Sequence, residues 1–429
     1  MALCWELARI YPFQPYRYTS AAGPLQKLVT QPYDKITPEA QARYLAESPY
    51  NLVRVILGER KPGDSYEDND SDNVYTRAAG YLNDWIAGGI LAHDAEPGVY
   101  PYFQEFTVPD TGERLVRKGF IALGAVEDYS ANIVYRHERT LAGPKKDRLE
   151  LLRHTHAHCE LIFMLYPDAE GAIDALLDRA AAAAPLGEVT DEYGAVHRIW
   201  KIAGAGRDGA SIQQIMADKK LLIADGHHRY ETAMAFRNQN PDLPGADRVA
   251  MAFVNMHSPD LRILATHRLV SGLSAERFDD FLRAAAVDFK VAEIDSADRL
   301  TKAWAGNATG NTTGCTIIGA AIGGRLYMLE ERNARGELDI RILHDLLLGK
   351  ALGITEEAVR NEQFIRYARG MDAAVEAART GAAQIAFLLK PTSVQQVADT
   401  SFAGGVMPQK STDFYPKLLS GLTIYKLDS

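Results

Sequence analysis

LLIADGHHRYET, residues 221–232, sets an apolar run directly before five chemically loaded positions: Asp225, Gly226, His227, His228 and Arg229. An apolar run of this length, closed by glycine, reads as a buried strand, and the residues after it read as helix. The five positions therefore fall where a strand hands over to a helix. The first N–H groups of a helix have no partner within it, and the macrodipole adds partial positive charge there. Glycine lets backbone approach a ligand closely, and phosphates settle at such ends. Arg229 offers a two-pronged grip on phosphate oxygens. His227 and His228 can donate hydrogen bonds and titrate near neutral pH. Asp225 can orient a histidine, hold magnesium through water, or accept a proton. At helical spacing His227 lies one turn before Glu231 and His228 one turn before Thr232, so each imidazole has a candidate partner to fix its tautomer. The competing reading is a solvated turn capped by Asp225. Four polar groups crowded against an apolar strand end weigh against it.

Outward from the junction, strands and helices alternate. Strands are expected at 161–168, 195–203, 247–256 and 261–270, with a hairpin made by 100–108 and 116–126 around the turn PDTGER. NLVRVILGE (51–59) reads as a further strand ending at Glu59. Helices are expected over 38–46, 71–91, 144–158, 170–186, 210–219, 229–238, 274–285, 338–352, 355–360, 371–380 and 393–399. Strand character returns near 5–13, 315–330, 383–390 and 421–427. Interleaving of this kind predicts an α/β or mixed α+β fold. The polar stretch AGNATGNTTG (305–314) suggests regions 1–130, 131–285 with the signature, and 286–429, or one continuous large domain.

The chain has 429 residues, 47% hydrophobic and 24% charged, which is ordinary globular composition. Its net charge of −9 argues against general affinity for nucleic acid or anionic membrane, so a phosphate site must be a local basic pocket. No apolar run is long enough to span a bilayer, and the start MALCWELARIYPF does not read as a signal peptide. Cys4, Cys159 and Cys315 are too scattered for a disulfide framework, which fits a cytoplasmic protein.

IADGHHRYETA resembles the hallmark of a large bacterial and archaeal family, domain of unknown function 1015. QPYDKIT (31–37), YFQEF (102–106), RHERTLAGPKKDRLELL (136–152), THRLV (266–270) and MPQKSTDFYPKLLSGL (407–422) fit the same family in the same order. The DGHHR element is also similar to the motif of archaeal free-serine kinases, which make O-phosphoserine from ADP or ATP and belong to the ParB/sulfiredoxin-like superfamily. The resemblance implies a ParB/sulfiredoxin-like core around the junction, with large additions at both ends. Sulfiredoxins carry Gly-Cys-His-Arg, so His227 stands where their nucleophile would be. ParB-type CTPases carry Gly-Glu-Arg-Arg, and two histidines replace the Glu and first Arg here. The kinases use a glutamate N-terminal to the signature as base. Glu59 and Glu138 are the candidates here, with Asp34 third.

Two further clusters bear on phosphate chemistry. RHERT and KKDR gather Arg136, His137, Glu138, Arg139, Lys145, Lys146 and Arg148, in which Glu138 could be a base or metal ligand and the lysines could hold phosphates. A solvated charge run is the alternative. MPQKSTDFYPK offers Lys410, Ser411, Thr412 and Lys417, a lysine beside hydroxyls without Walker spacing. RHTHAHC (153–159) tempts a zinc reading, but its spacing puts only His154 and His158 on one helical face, and no metal site is expected. His257, His267 and His344 read as structural, with His267 and Arg268 as outside candidates for the pocket.

The expected activity is small-molecule phosphotransfer. Free serine or a similar hydroxy compound would be the acceptor, with Mg²⁺ and ADP or ATP on the donor side. Asp225, His227, His228, Glu138 and Glu59 would be catalytic. Gly226, His228, Arg229, Lys145, Lys410, Ser411, Thr412 and Lys417 would hold phosphate. The alternatives are a non-catalytic nucleotide or phospho-amino-acid sensor and a phosphohydrolase.

Overall fold

The structure, a computed structural model, describes residues 8–64, 72–138, 140, 142–306, 314–408 and 410–427. Cys4, Arg139 and most of AGNATGNTTG lie outside the described residues. The chain is a mixed α/β protein built on two principal sheets.

The first sheet joins ten strands among the described residues. The signature strand Leu221–Asp225 pairs in parallel with Val134–Tyr135 and antiparallel with Ile162–Tyr166. Next to that pair run Arg248–Asn255 and the long hairpin of Gly98–Thr107 with Arg114–Ala125. Successive side chains of a strand point to opposite faces of the sheet. Leu221 and Ile223 enter a core that helices cover, among them Ala172–Ala181, Arg207–Met216 and the signature helix His227–Gln239. Leu222 and Ala224 face the opposite core, where the covering residues include Phe414, Leu418, Leu419 and Leu422. The C-terminal segment is therefore one layer of the first unit, laid beneath the signature strand.

The second sheet has six strands in the order 289–294, 325–331, 317–322, 385–388, 266–270, 365–369, all paired antiparallel. It takes in residues from before 286. Thr266–Val270 pairs with two of its strands, and Phe281 and Ala285 of the helix Ala275–Ala285 sit in its core. A division at 286 would cut this sheet, which the chain enters at Thr266 and leaves again before the returning C-terminal segment. Backbone pairing runs across the polar stretch that marked the sequence boundary.

Local expectations depart from the structure at several places, four of which bear on the layout. NLVRVILGE is not a strand: Val53–Ile56 is a short helix whose apolar residues lie buried with Leu82 and Trp85. The Asn51 side chain starts its turn by accepting from the Val53 N–H at 2.9 Å. A short apolar run buried on all sides looks the same as strand or helix in sequence. LRILATHRLV breaks at Ala265. Arg262–Leu264 pairs with Asp413–Tyr415, and the rest joins the second sheet. The helix over 338–352 is a short α-helical turn, Asp339–Ile342, running into the π-helix Leu343–Ala351. The closing strand shrinks to Tyr425–Lys426 against Ala157–His158. No helix among the described residues is long and apolar enough to cross a membrane.

Candidate functional site at the strand–helix junction

The signature strand does not run straight into its helix. Its pairing with Ile162–Tyr166 slips by one residue between Ile223 and Asp225, a bulge at Ala224. Bulges re-aim the side chains that follow them. Gly226 then turns the chain with φ 93°, a left-handed conformation that a β-carbon disfavours. A β-carbon there would also stand 3.0 Å from the Arg229 guanidinium. The helix begins at His227 and is pinned by buried Tyr230, whose hydroxyl donates to the Glu127 carbonyl at 2.8 Å.

Charges interlock on the inner side. Lys417 lies 2.9 Å from Asp225 and 3.1 Å from Asp413, and Asp413 lies 2.6 Å from Arg369. Arg229 donates to the Leu161 carbonyl at 2.5 Å and stands 3.8 Å from Asp225 and 4.0 Å from Glu160. Glu160 in turn lies 3.6 Å from Arg148 and accepts from the Tyr33 N–H at 3.0 Å. Burial pushes the Asp225 carboxyl up, but Lys417 first, then Arg229 and Lys35, outweigh it and hold it well below the carboxylate range. Burial lowers Lys417, yet Asp225 and Asp413 raise it above the ordinary lysine value. At neutral pH both are charged. The tail is held in place by buried Arg117, which donates to the carbonyls of Tyr415 (3.1 Å) and Pro416 (2.5 Å) and lies over the Phe163 ring.

The histidines are arranged differently from the expectation. Glu231 does not orient His227. It takes Thr140 at 2.6 Å, Lys145 at 2.8 Å and Arg136 at 3.3 Å. The His227 Nε2 instead accepts from the His137 N–H at 3.4 Å, and the two rings meet edge to face at 4.6 Å. His137 Nδ1 donates to the Ile223 carbonyl, and its Nε2 meets the Thr412 hydroxyl, both at 2.7 Å. Burial lowers the pKa of His137, His227 and His228. For His228 this outweighs the nearby charges of Glu138, Glu231 and Asp34. The Glu138 carboxylate accepts from the Lys410 N–H at 3.4 Å.

On the outer side, Arg136, Lys145, Lys146, Arg153, Glu150 and Glu231 help line a groove of about 540 Å³ between the helices Ala142–Thr155 and His227–Gln239. Volumes of this order suit a small ligand.

The structure thus brings Asp225 to Arg229, Glu138, Thr412 and Lys417 together, with Lys145 on the outer rim. Lys410 contributes its backbone N–H, while its side chain is exposed. Ser411 is turned to the Pro408 carbonyl at 2.5 Å. Glu59 is exposed after the short helix, its carbonyl accepting from Arg77, and its side chain makes no contact with the junction among the described residues. His154 and His158 do not share a helical face, because the helix ends at Thr155. His267 is structural, accepting from the Leu389 N–H, and Arg268 reaches the Lys410 carbonyl at 3.0 Å. Sequence reasoning missed Glu160, Asp413 and Lys35. The one available signal was a carboxylate directly before an apolar run at Glu160.

The family model described as Protein of unknown function (DUF1015) matches residues 10–363. The chain belongs to this family. The DUF1015 match ends before the returning tail, so Thr412 and Lys417 lie beyond it. No curated protein matches the chain. Among solved structures, a free serine kinase in complex with AMP is 13% identical, covering 68% of this chain and 89% of that chain at a TM-score of 0.35. A conserved hypothetical protein from Pyrococcus furiosus is 14% identical over 69% and 93%, also at 0.35. SbnI from Staphylococcus aureus, truncated at its C-terminus, is 10% identical over 70% and 87%, at 0.34. Likeness this loose carries no argument about activity.

Proposed function

We propose that this DUF1015 chain is a small-molecule phosphotransferase that moves a phosphoryl group from ADP or ATP to an alcohol, with free serine as the acceptor. The observation behind the reading is the junction itself: a helix N-terminus opened by a left-handed glycine, with Arg229, His228 and Lys417 beside it. Phosphoryl transfer needs positioning and charge stabilisation more than covalent chemistry, and such a set of donors supplies both. The serine hydroxyl attacks the terminal phosphorus, the nucleotide leaves with one phosphate fewer, and a carboxylate takes the hydroxyl proton.

We assign that carboxylate to Asp34. It is exposed and, among the described residues, pairs only with the neighbouring, half-exposed Lys35 at 3.3 Å. Its charge acts on Arg229, His228 and Lys417, and the adjacent Tyr33 is pinned to Glu160. Glu138 acts on His228 as well, but its carboxylate faces the Lys410 N–H. Asp225 suits neither base nor metal ligand, since Lys417 and Arg229 already occupy it. Asp413 is paired in the same way. These residues do not form an oxygen-rich cage for Mg²⁺, which demands near-ideal oxygen coordination. Magnesium would arrive with the nucleotide, neutralising phosphate charge.

A sensor that binds without turnover is the second reading, favoured by the fully paired state of Asp225. Phosphorus NMR of the purified protein with serine and ATP, ADP or pyrophosphate separates the two. Phosphoserine that disappears in Asp34→Asn supports the kinase. Ligand-induced stabilisation with no phosphoserine under any donor supports the sensor. His227 suits a phosphohydrolase nucleophile poorly, being buried beneath the turn.

A further inference from the structure

Beneath the phosphate-facing turn, His137, Glu138 and His227 place their ligand atoms within 4.8 Å of one another. Both imidazoles are fixed in a form suited to ligation. The His137 Nδ1 meets a carbonyl, which can only accept, so Nδ1 carries the proton and Nε2 a lone pair. The His227 Nε2 accepts a backbone N–H at 3.4 Å, so it too is unprotonated, and ligation exchanges that long hydrogen bond for the metal bond. The Ile223 carbonyl on His137 Nδ1 is the kind of outer partner that orients metal-bound histidines. Both residues are buried, and His137 comes from the strand edge while His227 opens the helix.

We propose that His137, Glu138 and His227 bind one divalent transition ion of the zinc type, separate from any magnesium that accompanies a nucleotide. Two nitrogen donors and one carboxylate match borderline ions and leave a coordination position open, whereas magnesium selects all-oxygen shells. Bonds of about 2.1 Å put tetrahedral ligand atoms about 3.4 Å apart, so the three groups close inward on binding. The hydrogen bond between the Thr412 hydroxyl and His137 Nε2 is exchanged for the metal bond, which links the returning tail to the ion. Asp225 adds negative charge nearby, while Arg136 and Lys417 oppose the ion, so affinity rises when Arg136 is neutralised.

The site uses the junction but does not require the kinase reading, and its test reads metal rather than turnover. Metal-stripped protein, freed of any affinity tag, is titrated with Co²⁺ and followed by visible absorption, then with Zn²⁺ in competition. The expected result is one equivalent of Co²⁺ with intensified d–d bands, displaced by one equivalent of Zn²⁺ and unaffected by excess Mg²⁺. Glu138→Gln and His227→Asn, each checked for folding by circular dichroism, weaken Co²⁺ binding at least tenfold. Thr412→Val, which leaves both imidazoles in place, binds at least as tightly as the parent. A spectrum of hydrated Co²⁺ only, or tight binding unchanged in both ligand variants, overturns the proposal. Serine phosphorylation without stoichiometric Co²⁺ would remove the metal site and leave the kinase reading standing. Co²⁺ binding without phosphoserine would do the reverse.

Discussion

On the inner side of the signature helix, Asp225, Lys417, Asp413 and Arg369 pass charge from one to the next, and Arg229, Glu160 and Arg148 form a second chain behind them. On the outer side, four bases and two acids help line an open groove, with Glu231 shared between Arg136 and Lys145. The inner groups come from segments far apart in sequence and hold the tail against the sheet. The outer groups come from the segment at Arg136 and from two adjacent helices, and bases outnumber acids among them. On the proposed reading, the inner network holds Arg229 and Lys417 rigidly against the helix start, and the outer groove draws an anion toward it.

Arg229→Met should break this contrast most severely. It removes one partner from a nearly buried network and leaves Asp225 and Glu160 short of a cation. Breaking buried pairs in this way costs about 3–5 kcal/mol. Urea denaturation should show a loss of that order together with loss of phosphoserine formation. A change no larger than that of a surface substitution would mean that the inner charges are not interlocked.

Asp225→Asn tests the same side through pH. The folded carboxyl is held well below its unfolded value by Lys417, Arg229 and Lys35, against burial. Its stabilisation is therefore complete above the unfolded pKa of about 3.9 and is lost as pH falls toward the folded value. The parent should lose stability steeply below about pH 4. The variant should be weaker at pH 7 and show a shallower acid limb. Identical acid limbs in thermal melts would place the acid sensitivity elsewhere.

Gly226→Ala acts on the hinge between the two sides. A left-handed backbone costs a residue with a β-carbon about 1–2 kcal/mol, and here the added carbon also pushes on Arg229. The expected outcome is a moderate fall in melting temperature with a larger fall in nucleotide affinity. Equal, small losses in both would show that Arg229 needs no exact placement.

How legible this was in the sequence follows the same division. The junction could be read directly, because an apolar run, a glycine and a polar cluster each constrain the local backbone. The hairpin and most helices were legible for the same reason. What could not be read were pairings over long separations. Nothing local to Lys417 announces Asp225, and Glu231 looked like a partner for His227 until Lys145 and Arg136 were seen to take it. The Val53–Ile56 helix was misread because burial on all sides erases periodicity. Glu59, the candidate base at the end of that segment, is exposed after the helix and makes no contact with the junction among the described residues. Thr266–Val270 belongs to the second sheet through pairings that no local pattern reveals.

The smallest expected effect lies on the outer side. Lys145 is more than a third exposed and bridges to Glu231 at 2.8 Å. Exposed ion pairs contribute little, so Lys145→Gln should change stability by no more than about 0.5 kcal/mol. If the groove attracts an anion, the same variant should weaken ATP binding severalfold at low salt, and the difference should shrink as salt screens the remaining charges. Calorimetry at two ionic strengths reads both quantities on one sample. Weakened binding with unchanged stability would separate the outer side from the inner one, where the two must fall together. Unchanged binding at low salt would leave Glu231 as the lysine's whole purpose and make the groove a by-product of how the two helices pack.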